Sequence, residues 1–320
     1  MTGVLLFILG LLLLTLGGEM LIRGALALAH RVGVSPLLSG LVIVGFGTSA
    51  PELVVSVNAA IEGKPDIAIG NVVGSNIGNV LLILGVCALI TPLTVTPLAL
   101  RRDAMCVVAA SLLCVALGAG GSLDHWDAAL LLLGLTGYLL LAYWTERSGG
   151  LPSAQVHEAE TAAVPRVTGN LAITVGVLVA GLCVLIAGSQ VFVVAASSIA
   201  VSMGIPEAVV GLILVAVGTS LPELTISVMS ALRKQADVAV GNILGSNIFN
   251  LLGILGISAF MQPLPMPVRV IEIDQWIMLG TSLLLLLFLY TSRRLTRIEG
   301  AVLLSGYGFY VWASFSGWLG

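Results

Sequence analysis

Apolar runs, each near 20 residues, recur over the whole of this chain and are parted by short polar clusters. As helices, such runs are long enough to cross a hydrocarbon core of roughly 30 Å. Ten fit the hydropathy, near 3–27, 37–61, 66–90, 103–120, 126–145, 170–199, 207–232, 237–260, 274–291 and 298–318. The pattern predicts an all-α polytopic membrane protein. One long polar stretch interrupts it, ERSGGLPSAQVHEAETAAVPRVT, whose Gly, Ser, Pro and charge content reads as a linker. The chain is expected to divide into five helices over 1–145, a linker over 146–169 and five helices over 170–320.

Composition supports the bilayer. Of 320 residues, 58% are hydrophobic and 9% charged, where a soluble domain carries about 25% charged residues. The net charge of −3 comes with no basic stripe, so nothing points to nucleic acid. Cys87, Cys106, Cys114 and Cys183 all lie in apolar runs without a metal-type CxxC pair, and read as small buried hydrophobes. The N-terminal MTGVLLFILGLLLLTLGG lacks a basic leader, and Glu19 and Arg23 stand where a cleavage site would be needed, so it reads as a retained span.

Charge also orients the chain. With the N-terminus outside, ten Lys and Arg fall in inside loops, and only Lys64 and Arg269 fall outside. That bias is what the positive-inside rule uses. Both termini are expected outside and the linker in the cytoplasm of a prokaryotic cell, the chain sitting in its inner (plasma) membrane.

The polar residues inside the apolar runs are not scattered. GTSAPELVVS, from Gly47, returns as GTSLPELTIS from Gly218, and GNVVGSNIGN, from Gly70, returns as GNILGSNIFN from Gly241. The register holds throughout: Thr48 matches Thr219, Glu52 matches Glu223 and Asn79 matches Asn250, each 171 residues on. Of the 46 positions from Gly40 to Gly85, 25 are identical in the second copy, 211–256. The second copy begins five spans after the first. An odd number sends the second into the membrane from the opposite side, the signature of inverted-repeat transporters with ion sites near the midplane.

The motif chemistry fits a hard cation. Thr48 and Ser49 stand four and three residues before Glu52, so a helix would put two hydroxyls and a carboxylate on one face. Pro51 and Pro222 lack an N–H and should free the carbonyls of Gly47 and Gly218. Hydroxyl, carboxylate and carbonyl oxygens suit Na⁺ or Ca²⁺ better than a soft transition metal. In the second motif Asn71, Ser75 and Asn79 follow at four-residue steps, and Gly70 and Gly74 should admit a neighbouring backbone closely. Any single Ser, Thr or Asn here reads first as helix glue. Glu52 and Glu223 do not: a mid-bilayer charge costs roughly 2.5–3.5 kcal/mol on the mildest scale, and points to function. Asp66 and Asp237 open their spans and read as capping acids, and Glu19 and Arg23 are spaced to pair.

These four motifs resemble the repeats of the cation/Ca²⁺ exchanger superfamily, especially the small prokaryotic Na⁺/Ca²⁺ exchangers. The resemblance implies ten transmembrane helices in two inverted five-helix repeats. It further implies that Glu52 and Glu223 ligate Ca²⁺ and Na⁺ in turn. Thr48, Ser49, Ser75, Thr219, Ser220 and Ser246 would add oxygens for Na⁺, with the carbonyls of Gly45 and Ala216. Asn79 and Asn250 would complete the metal site. The implied activity is antiport of Ca²⁺ against Na⁺ by alternating access, with spans one and six sliding past the bundle; Ca²⁺/H⁺ antiport is the alternative. Asn250 stands where some exchangers have Asp, which argues against K⁺ co-transport, and the linker is too short for Ca²⁺-sensing domains. No cofactor and no obligate protein partner are implied, and a monomer is expected to suffice. An enzyme is not expected, because His30, His125 and His157 fall in loops or at span ends, away from any nucleophile.

Overall fold

A computed structural model describes residues 2–94, 99–148, 170–203, 218–292 and 294–316. Most of the linker and the start of the expected seventh span, with Ala216, lie outside them. The first copy contributes α1 (Thr2–Val32), α2 (Pro36–Leu38), α3 (Phe46–Thr48), α4 (Ala50–Ile61) and α5 (Pro65–Gly78). It continues with α6 (Gly85–Ile90), α7 (Met105–Gly118) and α8 (His125–Ser148). After the linker come α9 (Leu171–Ser202), α10 (Leu221–Leu232), α11 (Ala236–Ile248) and α12 (Leu255–Met261). The last two are α13 (Gln275–Ser292) and α14 (Arg297–Phe315).

Among the described residues six helices are long and apolar enough to cross a membrane, and a seventh is added if Ser39–Thr48 and Ala50–Ile61, bent by 47°, form one span. Met105–Gly118, Leu221–Leu232 and Arg297–Phe315 stand where the remaining three spans are expected. Many outward-facing side chains are large and apolar, Leu5, Leu12, Leu133 and Val194 among them, as a lipid-facing surface requires.

α1 and α9 run antiparallel in close contact, and glycine spacing allows it. Gly10, Gly17 and Gly24 recur every seven residues on α1, so they share one face. A methyl on Gly17 would sit 2.4 Å from the Leu185 nitrogen, and one on Gly24 would sit 2.8 Å from the Leu178 Cα. From the other side, a methyl on Gly181 would meet the Leu21 nitrogen at 2.6 Å. Small residues are how membrane helices gain dispersion contact where no hydrophobic drive exists between them.

The same device brings the two motif regions together. The segment Ser39–Gly45 is wound as a π-helix and lies against α11. A methyl on Gly245 would stand 2.1 Å from the Leu41 carbonyl oxygen. At Gly70 and Gly74 no described atom comes that near; positions 208 and 212, which match Leu37 and Leu41, fall outside the described residues.

Helix breaks differ from the expected straight run. The first motif is not one continuous helix: Ser49 (φ −81°, ψ 8°) ends α3, and Pro51 enters the first turn of α4. Proline is tolerated there, because a first-turn N–H has no intrahelical acceptor. Ser220 (φ −87°, ψ 5°) and Pro222 repeat the arrangement before α10. Further π-helical turns, Asn79–Leu84 and Phe249–Ile254, interrupt the second motif of each copy at Asn79 and Asn250. Such insertions often mark functional positions. Asp66 and Asp237 sit in the first turns of α5 and α11, whose N-caps are Lys64 and Gln235, so they face the helix dipole without capping.

Two short ribbons, absent from the sequence reading, tie the copies at their ends. Strands β1 (Leu93–Thr94) and β4 (Arg294–Leu295) pair antiparallel, as do β2 (Ser122–Leu123) and β3 (Leu264–Pro265). Each ribbon takes one strand from each copy. Near them Asp124 accepts the N–H groups of Trp126 (2.7 Å) and Asp127 (3.0 Å) at the start of α8. The Asp127 N–H holds its carboxyl below the usual range.

Candidate ion-binding site

Both glutamates are buried, Glu52 1% and Glu223 0% exposed. Each projects from the first turn of its helix, just past the break that Ser49 or Ser220 makes. Neither is held by the hydroxyl of its own motif. Ser49 donates to Glu223 Oε1 at 2.9 Å, and Ser220 donates to Glu52 Oε1 at 3.1 Å. The two half-sites are thus crossed: each serine serves the other copy's carboxylate.

The surrounding oxygens close around these pairs. Ser246 approaches Glu223 Oε1 at 3.5 Å and donates to the Gly45 carbonyl at 3.0 Å. Ser75 meets Ser220 at 3.3 Å. Thr48 lies 3.2 Å from both the Gly45 carbonyl and Asn242 Oδ1, and Thr219 lies 3.4 Å from Asn71 Oδ1. Asn79 donates to Asn247 Oδ1 at 2.9 Å. Of the carbonyls expected to be freed by proline, that of Gly218 accepts the Ser189 hydroxyl from α9 at 2.9 Å. The structure therefore gathers Thr48, Ser49, Glu52, Ser75, Thr219, Ser220, Glu223, Ser246 and Gly45 at one place. Asn79 and Asn250 lie one turn on, at the π-helical segments.

Several buried polar atoms have no hydrogen-bond partner. Glu52 Oε2, Glu223 Oε2, Asn79 Oδ1 and both amide atoms of Asn250 make no hydrogen bond. Among the described residues no Lys, Arg or His pairs with either glutamate. A buried carboxylate without a cation is costly. Charge and free oxygen lone pairs at a buried site suit a small hard cation, and among the described residues no group of three or more His, Cys, Asp and Glu gathers as a transition-metal site would need.

The sequence reading missed three things. The four-residue spacing puts Asn71 in line with Ser75 and Asn79, but Asn71 and its match Asn242 bond to the opposite copy's threonines. Ser56 and Ser227 anchor them. Glu19 pairs with Arg23 as spaced, and also with Arg233 at the end of α10. Matching of the two copies could have found the first two; the third has no signal in the sequence, because Arg233 corresponds to Glu62 in the first copy.

The sequence profile of the family described as "Sodium/calcium exchanger protein" matches residues 2–144 and 173–316. The chain belongs to the sodium/calcium exchanger protein family. Among relatives, the inner membrane protein YrbG of Escherichia coli is 34% identical over 318 residues, covering 98% of this chain and 96% of that one. The sodium/calcium exchanger MaX1 of Methanosarcina acetivorans is 32% identical over 334 residues, covering 95% of each. Among solved structures, the sodium-calcium exchanger NCX_Mj, soaked with zero Na⁺ and Ca²⁺, superposes with a TM-score of 0.82 at 29% identity, covering 97% of this chain and 98% of that one. The family is one of membrane transporters, and this exchanger's helical fold and cation antiport follow from membership. That agrees with the resemblance carried by the four motifs.

Proposed function

We propose that the chain exchanges Ca²⁺ for Na⁺ across the membrane by alternating access at a midplane site. Glu52 and Glu223 supply the charge, and the crossed Ser and Thr hydroxyls and the Asn79 and Asn250 amides supply further oxygens. The observation that carries the reading is the exchanged pairing, Ser49 to Glu223 and Ser220 to Glu52, with one oxygen of each carboxylate left without a donor. A charge of −2 matches one Ca²⁺ or two Na⁺, so both loads can neutralise the same pocket, and they must compete for it.

The architecture is ten transmembrane helices in two inverted five-helix repeats, over 1–145 and 170–320. Its support is the set of contacts in which residues 171 apart take reciprocal roles, down to Ser111 and Ser282, which hydrogen-bond to each other at 3.1 Å. A pair of equivalent residues in contact is what a pseudo-two-fold axis produces. The glycine-locked pair α1 and α9 is the unit that slides. Both termini lie outside, the linker lies in the cytoplasm, and the host membrane is the prokaryotic inner membrane, as the name of YrbG says of that relative. The exchanger works as a monomer without a cofactor.

Proteoliposomes loaded with Na⁺ and diluted into Na⁺-free buffer should take up ⁴⁵Ca²⁺, and should stop when external Na⁺ equals internal. Uptake driven by a pH gradient without Na⁺ would replace Na⁺ by H⁺ as the coupling ion.

A further inference from the structure

The two asparagines at the head of the second motifs, Asn71 and Asn242, are absent from the ligand set above, yet each sits where the two copies meet. Asn242 is fully buried. Its Nδ2 donates to the Glu223 carbonyl at 3.2 Å and to Ser227 Oγ at 2.9 Å, which uses both amide protons. A reversed amide would set its oxygen against the Glu223 carbonyl oxygen, two acceptors facing each other, so the orientation is forced. Its Oδ1 then points at Thr48 Oγ1, 3.2 Å away.

Two oxygens at that distance need a proton between them, and the amide oxygen has none to give. The Thr48 hydroxyl must donate. Its other neighbours are the Gly45 carbonyl, which already accepts the Ser246 hydroxyl at 3.0 Å and the Ser49 N–H at 3.2 Å, and the Glu223 carboxyl, which already accepts the Ser49 hydroxyl at 2.9 Å. With its only proton held by Asn242 and not by the Glu223 carboxyl, Thr48 would present lone pairs alone to the rest of its surroundings. That is the state in which a hydroxyl can ligate a cation; a proton aimed at the ion would repel it.

The first copy builds the same relay independently. Asn71 Nδ2 donates to the Glu52 carbonyl at 3.3 Å and to Ser56 Oγ at 3.0 Å. Ser56 passes its own proton to the Ala68 carbonyl at 3.2 Å. Asn71 Oδ1 faces Thr219 Oγ1 at 3.4 Å. In both copies the amide is anchored on the helix that carries its own glutamate and acts on the threonine of the other copy.

We infer that Asn71 and Asn242 are positioning residues that set the proton of Thr219 and Thr48 away from the ion, making these hydroxyls Na⁺ ligands. The inference rests on the exchange function proposed above and adds the device that gives the site its Na⁺ oxygens. Because Ca²⁺ is held chiefly by the two carboxylates, the asparagines govern Na⁺ more than Ca²⁺.

The test titrates the purified full-length chain with Ca²⁺ by calorimetry, then finds the Na⁺ concentration that halves Ca²⁺ binding. The variants are Asn242→Ala, Thr48→Val, the double variant, and the mirror pair Asn71→Ala and Thr219→Val. Each single variant should raise the Na⁺ concentration about tenfold, from the loss of one hydrogen bond to a charged site, while in the two asparagine variants, which remove no ligand, the Ca²⁺ dissociation constant stays within threefold. The double variant Thr48→Val with Asn242→Ala should be no worse than either single one, because the asparagine acts only through the threonine. Retained Ca²⁺ binding certifies the fold, and the mirror pair answers if Asn242→Ala does not fold. Unchanged Na⁺ competition, additive effects, or equal loss of Na⁺ and Ca²⁺ binding in both asparagine variants would overturn the inference while wild-type competition upholds the exchange function. Wild-type Ca²⁺ binding that Na⁺ never displaces would overturn both.

Discussion

Glu19 of α1 is gripped by two arginines, Arg23 one turn on along its own helix and Arg233 at the end of α10. The second contact ties the α1–α9 pair to the helix that carries Glu223. It is one-sided. The matching residues of the other copy are Gln190 and Glu62, and Glu62 pairs with Lys64 instead. A partly exposed ion pair contributes roughly 0–1 kcal/mol, so Glu19→Gln should barely move the melting temperature. If α1 slides against α10, the same energy bears on the rate of the cycle. Glu19→Gln is expected to change Ca²⁺ turnover severalfold, with the Ca²⁺ dissociation constant within twofold. Identical turnover would mean that this tie is not broken in the cycle.

On the proposed function, the glutamates trade stability for binding. Losing one partner of a buried charge contact costs roughly 2–5 kcal/mol, so Glu52→Gln or Glu223→Gln should weaken Ca²⁺ at least about 30-fold in calorimetry. In cation-free buffer the same variants should melt higher than the wild type, because a buried carboxylate with an unbonded oxygen has been neutralised. A lower melting point in both variants would argue that the carboxylates hold the bundle together.

Asn250 offers a separate test, since neither of its amide atoms has a partner. Asn250→Leu breaks no hydrogen bond and should leave the melting temperature equal or higher, while Na⁺-driven Ca²⁺ uptake falls about tenfold. With an amide here and not an acid, removing K⁺ from both sides should leave wild-type uptake within twofold. Full uptake by Asn250→Leu would return this residue to a packing role.

Close backbone approach predicts a sharp contrast among glycines. Gly245→Ala would press a methyl to 2.1 Å from the Leu41 carbonyl, an atom that moves only with its helix. Overpacking of this kind costs about 1–3 kcal/mol, so melting should drop and ion binding should weaken with it. Gly280→Ala meets no described atom within 4 Å and should be neutral or stabilising, as helix propensity favours alanine by about 1 kcal/mol.

Outside the membrane, Asp124 should show a pH signature. Its carboxyl is held low in the folded chain by the Asp127 N–H. A depressed folded value contributes stability that is complete above the unfolded value of about 3.9 and is lost as pH falls through the folded one. Asp124→Ala should therefore melt below wild type at pH 6, and the gap should narrow as pH falls below the unfolded value. A gap that stays the same as the pH falls would assign the loss to packing and not to the cap's charge.

Much was decided by the sequence alone. The run lengths fixed a helical membrane chain, because a backbone in hydrocarbon must satisfy its own hydrogen bonds. The 171-residue repeat marked out Glu52 and Glu223, since a mid-span charge has no apolar explanation. What the sequence could not decide is which atoms meet. Helical spacing places Thr48, Ser49 and Glu52 on one face of one helix, yet the backbone breaks at Ser49 and that serine bonds to Glu223. The exchange of partners, the asparagine relays and the grip of Arg233 on Glu19 all depend on how two copies cross. That crossing is set by backbone-to-backbone approach at glycines such as Gly245 and Gly17, a property of two surfaces together and of neither segment by itself.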